Sequence, residues 1–316
     1  MFMLPEFVEK INRGGFTGDL RFDEPMAAHT TFRVGGPADC WIRPDGASFP
    51  EYASRLLAET EAAGVPVFIL GGGANLVVSD RGIRGIVLDT TAYRGRAGLG
   101  GESGGGTLVA FCAGTPVDEM AEEAANLGLS FEFFAGMPGA IGGAMWMNAR
   151  CYEHSVSDYL AGAKLLSRGG AVKEYRFRSG DFGYKRSPFQ KSGDLILEGS
   201  FRLPKKEAEA VRGQMERYRS DRESKGHYRC PSAGSAFKNN RAAGRPSGKI
   251  IDDLGLRGFG IGGAQIAPWH GNIIINRGNA SAGEIKALCS EVRARVKKET
   301  GFELECEILF IGDFFS

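Results

Sequence analysis

Three consecutive glycines interrupt an apolar stretch early in the chain and are the first candidates for chemistry. They lie in ILGGGANLVVSDRGIRGIVL (69–88), where a predicted strand ends at Gly71 and a second apolar run follows Asn75. Glycines have no Cβ, so the backbone N–H groups of such a run can surround an anion such as a pyrophosphate. The segment contains neither a P-loop nor a Rossmann fingerprint. A tight turn and a phosphate site therefore both stay open.

A second glycine-rich segment, FFAGMPGAIGGAMWMNARCY (133–152), places a proline and several glycines within apolar sequence. Its small residues leave a flat backbone surface against which a planar ring or a pyrophosphate can lie. Those small residues are Gly139, Ala140, Gly142, Gly143 and Ala144. Close packing of a helix is the alternative explanation.

Charge and cysteine usage exclude several classes of protein. The 39 Lys and Arg residues are balanced by 38 Asp and Glu residues, so we expect no nucleic-acid partner. The six cysteines form no C-x-x-C pair and no metal-type spacing with the four histidines, which indicates reduced thiols and no metal site. The charges of Glu6, Glu9 and Lys10 argue against a secretory signal, and no apolar run is long enough to span a membrane. We expect a cytoplasmic protein.

Alternating elements must position the two glycine segments. Helices are predicted at 47–63, 116–129, 205–226 and 282–301, and strands at 65–70, 83–90, 104–114, 161–168, 171–178, 195–203, 272–276 and 303–312. This order is typical of α/β or α+β lobes, and 316 residues are enough for two or three of them. The charged stretch at 205–226 indicates a domain boundary near residue 220.

Seven segments, in this order and spacing, resemble the UDP-N-acetylenolpyruvoylglucosamine reductase family from about residue 20 to the C-terminus. Besides the two glycine segments, they are HTTFRVGGPAD (29–39), FGYKRSPFQ (182–190), CPSAGSAFKNN (230–240), GKIIDDLGLRGFGIGGAQIAPWHGNIIINRGNA (248–280) and ELECEILFIG (303–312). Each motif is weak alone, whereas all of them in order are specific.

The resemblance implies an α+β fold, with a two-lobed FAD-binding domain of the vanillyl-alcohol-oxidase/PCMH type and a C-terminal α+β substrate domain. It implies lobe 1 at 1–88, lobe 2 at 89–220, a substrate domain at 221–307 and a return to lobe 1 at 308–316. FAD is then bound non-covalently by two runs, which are Gly71, Gly72, Gly73, Ala74, Asn75 and Leu76, and Pro138, Gly139, Ala140, Ile141, Gly142 and Gly143. Ala74 stands where the family usually has serine.

The resemblance also implies a reaction. NADPH reduces the flavin, and a hydride then passes to the terminal carbon of UDP-N-acetylglucosamine enolpyruvate. Ser235 corresponds to the family's proton donor, and Glu307 to its catalytic glutamate. Without the family, Ser235 is a turn serine and Glu307 an outward-facing strand residue that points the same way as Glu303 and Glu305.

One position departs from the family pattern. Arginine commonly follows the tyrosine of FGYKRS, but this chain has Lys185 and then Arg186. Lysine keeps the charge and loses the two-pronged grip of a guanidinium on a carboxylate. Either Lys185 fills the role, or a small shift brings in Arg186. Because adjacent strand residues point to opposite faces, we favour Lys185.

Four further residues correspond to the family's substrate site. Among them, the positive charge of Lys238 is expected to contact the UDP diphosphate. They are Tyr184, Lys238, Asn239 and His270. Each has an ordinary surface residue as its alternative. The short separation of Lys185 from Ser235 resembles the second, shorter type of the family, which lacks an extra tyrosine loop. We expect a monomer.

Two other functions stay open from the sequence. A different flavoprotein oxidoreductase on the same fold is one, although no histidine or cysteine that would tether FAD lies within 71–85. A non-catalytic protein that senses FAD or a nucleotide sugar is the other, and only Lys185 favours it. The segment SAGSAFKN (232–239) argues against the first, and retention of Ser235 and Glu307 argues against the second.

Overall fold

The computed structural model describes residues 4–239 and 243–314. Residues 1–3 and 315–316 of the predicted lobe 1, and Asn240 of the predicted CPSAGSAFKNN motif, lie outside this described part. None of the helices in the described residues is long and apolar enough to cross a membrane. Within the same residues, no group of three or more His, Cys, Asp or Glu side chains is arranged to hold a metal ion.

The described residues form helices and strands throughout. The α-helices are α1 (Leu4–Asn12), α2 (Phe49–Ala63), α3 (Val117–Asn126), α4 (Ile141–Trp146), α5 (Phe189–Ser192), α6 (Ala208–Ser224), α7 (Ser247–Asp253) and α8 (Ala282–Thr300). The strands are β1 (Gly18–Pro25), β2 (Pro37–Pro44), β3 (Val67–Leu70), β4 (Leu76–Val78), β5 (Ile83–Asp89), β6 (Arg96–Ser103), β7 (Gly106–Cys112), β8 (Arg150–Cys151), β9 (His154–Ser155), β10 (Leu160–Leu166), β11 (Val172–Arg176), β12 (Leu195–Leu203), β13 (Ser232–Ser235), β14 (Gly260–Ile261), β15 (Ala264–Ile266), β16 (Ile273–Asn276) and β17 (Leu309–Ile311).

The chain divides into two compact units. The first comprises Met1–Phe22, Cys40–Gly72 and Gly85–Arg219, and the second comprises Asp23–Asp39, Gly73–Arg84 and Ser220–Ser316. The predicted domain ranges stay a prediction, because compactness alone does not assign a lobe to a cofactor or a substrate.

The first unit is built on two sheets. The larger has the strand order β11-β10-β12-β7-β6 with antiparallel neighbours, and the other has the order β1-β2-β5-β3. Buried and half-buried residues alternate along β12 from Leu197 to Leu203, and Phe201 and Leu203 pack in the core with α3 and α4. Helix α2 buries Phe49, Tyr52, Ala53 and Leu56, which is the spacing of a single apolar helix face. Gly64, in the left-handed region at φ 66°, ends that helix.

The second unit is organised around α8. Its residues Ile285, Leu288, Val292 and Val296 are fully buried, and the helix lies on β14 and β15. The sheet beneath has the antiparallel order β13-β16-β15-β14. The carboxylate of Asp80 accepts hydrogen bonds from the backbone N–H groups of the first two residues of α8, at 2.8 and 2.9 Å. An acidic group at a helix N-terminus satisfies N–H groups that lack a partner within the helix.

The predicted strand at 303–312 is the clearest correction. Only β17 is a strand, and it pairs in parallel with β4, whereas Cys306 makes an isolated bridge to Phe237. The segment changes its hydrogen-bond partner near Ile308, so it is not one continuous strand. Leu304 and Ile308 are buried, whereas Glu303 and Glu305 are exposed and Glu307 is half-buried. The inference that the three glutamates point the same way stays a prediction.

Candidate functional site

In the first unit, the glycine loop after β3 lies directly on the second glycine segment. A Cβ added at Gly72 would stand 2.7 Å from the Cα of Gly139, a distance that real Cβ atoms do not adopt. A Cβ at Gly71 would meet Ala140 at an ordinary 3.6 Å. The loop therefore needs glycine at Gly72 to bring two stretches of backbone together.

The second glycine segment is fixed by backbone hydrogen bonds where α4 begins. Ile141 N donates to the carbonyl of Thr115 at 2.9 Å, and Gly142 N donates to the carbonyl of Ala113 at 2.8 Å. A Cβ at Gly142 would press on Ala113, whereas a Cβ at Gly143 would meet nothing within 4 Å. Gly143 thus presents open backbone surface at an exposed position. The two glycine stretches of this unit fit the flat ligand surface expected from the sequence.

The same helix positions the FGYKRS segment. Ser187, which is buried, donates its hydroxyl to the carbonyl of Trp146 at 2.6 Å. The side chain of buried Asn148 donates to the carbonyl of Gly183 at 2.9 Å. These two bonds hold residues 183–187 against the C-terminal end of α4.

Residues 183–186 form a tight turn and not a strand, so the reason given for favouring Lys185 is wrong. Gly183 and Arg186 exchange both backbone hydrogen bonds at 3.0 Å, and Lys185 has φ 54°. A positive φ at the third residue is the signature of a type II turn, in which glycine or asparagine is usual. The Nζ atom of Lys185 lies 5.9 Å from the centre of the Tyr184 ring, and the guanidinium of Arg186 packs beside Gly183. All three side chains thus project from one turn, and the choice between Lys185 and Arg186 stays a prediction.

In the second unit, the rest of the glycine loop is tied to the segment that carries Glu307. Gly73 has φ 60°, and a Cβ there would stand 2.0 Å from the carbonyl oxygen of His29. The side-chain amide of Asn75 donates a hydrogen bond to the backbone carbonyl of Glu307 at 3.0 Å. The backbone carbonyl of Asn75 accepts a hydrogen bond from the backbone N–H of Leu309 at 3.0 Å. Leu76 then opens the β4–β17 pair, while Ala74 is half-buried.

The two predicted catalytic residues, Ser235 and Glu307, lie on adjoining stretches of hydrogen-bonded backbone. Glu307 N donates to the carbonyl of Ala236 at 2.8 Å, and Lys238 N donates to the carbonyl of Glu305 at 2.9 Å. Both predicted residues are half-buried. The structure therefore joins the backbone of Glu307 to that of Ala236, the residue that follows Ser235 in the chain.

Asn272 supports this arrangement and was not predicted as a site residue. It is buried, and its side-chain amide both accepts from the N–H and donates to the carbonyl of Phe237, at 2.9 and 2.8 Å. Its own carbonyl accepts from Ala236 N at 2.8 Å. A buried polar side chain needs such partners, so an asparagine directly before the apolar run of β16 was the available signal.

The predicted substrate-site residues of the second unit have structural partners of their own. Lys238 forms an ion pair with Glu305, so its charge is partly compensated. The side-chain oxygen of Asn239 accepts from Ser247 N at 2.9 Å. These bonds order the residues that follow Ser235.

His270 is held as a neutral ring. Burial lowers its pKa, which the carboxylate of Asp252 opposes. Its Nδ1 accepts a hydrogen bond from Asn272 N at 3.1 Å, which assigns the ring proton to Nε2. Burial and the charge of Arg222 lower the pKa of the neighbouring His227 to about 4, so that ring too is neutral. His270 therefore offers an N–H donor at neutral pH.

Comparison with known protein families gives two matches along the chain. The model for the C-terminal domain of UDP-N-acetylenolpyruvoylglucosamine reductase matches residues 226–311, and the model for an FAD binding domain matches residues 50–176. The order is that expected from the sequence.

Individual proteins give the same result. The UDP-N-acetylenolpyruvoylglucosamine reductase of Treponema denticola is 40% identical over 310 residues, which cover 94% of this chain and 95% of the relative. The reductase of Treponema pallidum is 38% identical over 93% of this chain and 94% of the relative. The crystal structure of the Thermus caldophilus reductase superposes with a TM-score of 0.73 at 30% identity, and covers 93% of this chain and 99% of that chain. The α+β fold with an FAD-binding domain and a C-terminal domain is confirmed.

Replacing Gly143 with alanine tests whether its open surface receives the cofactor. We expect Gly143→Ala to fold normally and to bind FAD at least about tenfold more weakly, because a methyl group forced into a filled site costs about 1–3 kcal/mol. FAD titration of the apoprotein measures the affinity. Gly213→Ala is the matched control, since that glycine also lies in a helix, α6, with nothing within 4 Å of an added Cβ. Equal FAD affinity in the two variants would remove Gly143 from the site.

Proposed function

The chain belongs to the UDP-N-acetylenolpyruvoylglucosamine reductase family, and from this premise we propose how its residues carry out the reaction. The reaction reduces the enolpyruvyl group of UDP-N-acetylglucosamine enolpyruvate to give UDP-N-acetylmuramate, with NADPH as the electron donor. The enzyme is an FAD-dependent oxidoreductase. The observation that supports our assignment of roles is the adjoining backbone of Ser235 and Glu307, because the chemistry needs a proton donor and a charged group together.

The FAD is held without a covalent bond by the two glycine runs. In this proposal, the backbone of Gly71–Leu76 binds the pyrophosphate, and Pro138–Gly143 makes further contacts. Gly72 and Gly143 fit such a role, since the first allows close backbone approach and the second offers open surface. Bound FAD supplies hydride transfer from NADPH to the terminal carbon of the enolpyruvyl group. Since the backbone makes these contacts, Ala74 costs at most one hydroxyl contact.

Ser235 and Glu307 complete the reduction after the hydride has been added. Negative charge develops on the substrate carboxylate and the adjacent carbon, and the hydroxyl of Ser235 donates a proton to that carbon. The carboxylate of Glu307 stabilises the enolic form of the substrate. The amide of Asn75 and the paired backbone of Ala236 fix the main chain of Glu307, so the carboxylate starts from an ordered position.

Cationic groups orient the substrate carboxylate and diphosphate. We assign the carboxylate to the turn of Tyr184, Lys185 and Arg186, with Lys185 as the principal charge. Lys238 contributes to binding the UDP diphosphate, although its ion pair with Glu305 must rearrange first. Asn239 and His270 add hydrogen-bond donors, with Nε2 the donor in His270.

The cellular setting follows from this reaction. We propose a cytoplasmic enzyme of peptidoglycan precursor synthesis, which serves cell-wall growth, cell shape and division. Its substrate-binding domain is residues 221–307 in this proposal, and it acts as a monomer. Nucleic acid and membranes are not among its partners.

Flavin absorbance under anaerobic conditions tests the function directly. NADPH should bleach the flavin band of the purified holoenzyme, and the UDP-linked enolpyruvyl sugar should then restore it, because each half-reaction moves one hydride. Flavin that bleaches and ignores the sugar would identify a different flavoprotein reductase. A protein that takes up no FAD would overturn the assignment entirely.

The roles of Ser235 and Glu307 are tested by their effect on the second half-reaction alone. We expect Ser235→Ala and Glu307→Gln each to slow reoxidation of the flavin by the sugar at least about 100-fold, because each removes a group that acts after hydride transfer begins. Reduction by NADPH should proceed at the normal rate, as stopped-flow absorbance would record. Glu303→Gln is the matched control, since this exposed carboxylate lies 3.7 Å from Arg293 and from Lys297 on the surface. A similar slowing in that control would show a general disturbance of the segment.

The assignment to Lys185 is tested against its neighbour. Lys185→Ala keeps a Cβ at the positive φ, so the turn experiences the same backbone strain and only the ammonium is lost. We expect kcat/KM for the sugar to fall about 10- to 100-fold, and to recover in Lys185→Arg. Steady-state kinetics with Arg186→Ala provides the comparison. Normal turnover in Lys185→Ala, with none in Arg186→Ala, would move the role to Arg186.

A further inference from the structure

A pair of cysteines lies beneath the segment that carries Glu307. Cys289 is in α8 and is 1% exposed, whereas Cys306 is half-buried, packs against the same core and directly precedes Glu307. Both side chains pack in the same core cluster, and the interaction between the two thiols shifts the pKa of each.

The helix face that carries Cys289 is fixed to this segment at a second point. Arg293, one turn further along α8, donates from Nε to the carbonyl of Leu304 at 2.9 Å. Leu304 and Ile308, on either side of Cys306, are buried in the core with α8. The contact between the two thiols is thus set by the packing of the whole segment and not by a single flexible side chain.

The two sulfur atoms differ in accessibility and acidity. The interaction with Cys289 lowers the pKa of Cys306, with a smaller contribution from Arg293, while the same interaction and burial raise the pKa of Cys289. The thiolate is the nucleophilic form of cysteine, so Cys306 is the sulfur that meets a reagent from solvent. Cys289 is placed to react only with Cys306.

We propose that Cys289 and Cys306 are a peroxide-sensitive thiol pair, whose disulfide displaces Glu307 and slows reduction of the sugar substrate. The Cys306 sulfur attacks one oxygen of hydrogen peroxide, the O–O bond breaks, and water and a sulfenic acid result. The Cys289 sulfur then attacks the sulfenic sulfur, the S–O bond breaks, and a second water leaves. Two thiols are oxidised to one disulfide, and one peroxide is reduced to two waters.

The expected effect on catalysis follows from the change in distance between the sulfur atoms. A disulfide brings them to about 2.05 Å, much closer than two unbonded thiols. Glu307 is the next residue, and its backbone bonds to Ala236 and Asn75 must accommodate the movement. A displacement of about 1 Å in a catalytic group can cost about 100-fold in rate. This kinetic consequence rests on the role proposed for Glu307, whereas formation of the disulfide does not.

Peroxide treatment of the holoenzyme, followed by peptide mass mapping without reductant, tests the chemistry. We expect a cross-link between Cys289 and Cys306, loss of two of the six thiols, and its reversal by dithiothreitol. Cys306→Ala should form no such cross-link, and Cys230→Ala, which removes another half-buried thiol of the same unit, should form it normally. Sulfinic acid at Cys306 without a cross-link would overturn the proposal.

Flavin reoxidation tests the consequence. After peroxide treatment, we expect reoxidation by the UDP-linked enolpyruvyl sugar to slow at least about tenfold, with NADPH reduction unchanged and full recovery after dithiothreitol. Cys306→Ala should keep its rate after peroxide, whereas Cys230→Ala should lose it. A cross-linked enzyme with an unchanged reoxidation rate would contradict the switch. Failure of the proposed function itself would already appear as no reoxidation in the untreated enzyme.

Discussion

The pairing of residues 236–238 with residues 305–307 is the interaction on which the second unit's chemistry depends. Two backbone hydrogen bonds, which together form the bridge between Phe237 and Cys306, make this strip. The buried side chain of Asn272 is hydrogen-bonded to it at Phe237. Because the strip is short, each of its polar groups matters more than in a long sheet. It joins the segment that follows Ser235 to the segment that carries Glu307, and it orders the main chain of Glu307.

Glycine is of comparable importance in the first unit, because it has no Cβ atom. At Gly72 the missing Cβ lets one backbone touch another, and at Gly143 it leaves surface uncovered. Both properties suit a flat, charged cofactor, which binds backbone N–H groups more closely than side chains permit. Ordered backbone and not a set of charged side chains therefore dominates this part of the site, in agreement with the even balance of charges in the chain.

The sequence predicted those elements whose pattern is local. The helices predicted at 47–63 and 282–301 and the strand predicted at 195–203 are set by residues within each element, and all three are found, as α2, α8 and β12. The segment at 303–312 could not be predicted as it is, because its change of partner depends on β4 and on residues 236–238, which are remote in the chain. The turn at Lys185 was missed because lysine gives no signal for a positive φ.

The glycine loop constrains the number of its residues as well as their type. Gly72 and Gly73 are consecutive, yet each is confined by a different backbone, Gly139 for the first and His29 for the second. Insertion or deletion of one residue here would place a side chain in one of these contacts, so the loop tolerates neither. The hairpin between β6 and β7 has no such confinement, since Gly105 would meet nothing within 4 Å. Natural variation in length among homologues should therefore accumulate at that hairpin and spare the glycine loop.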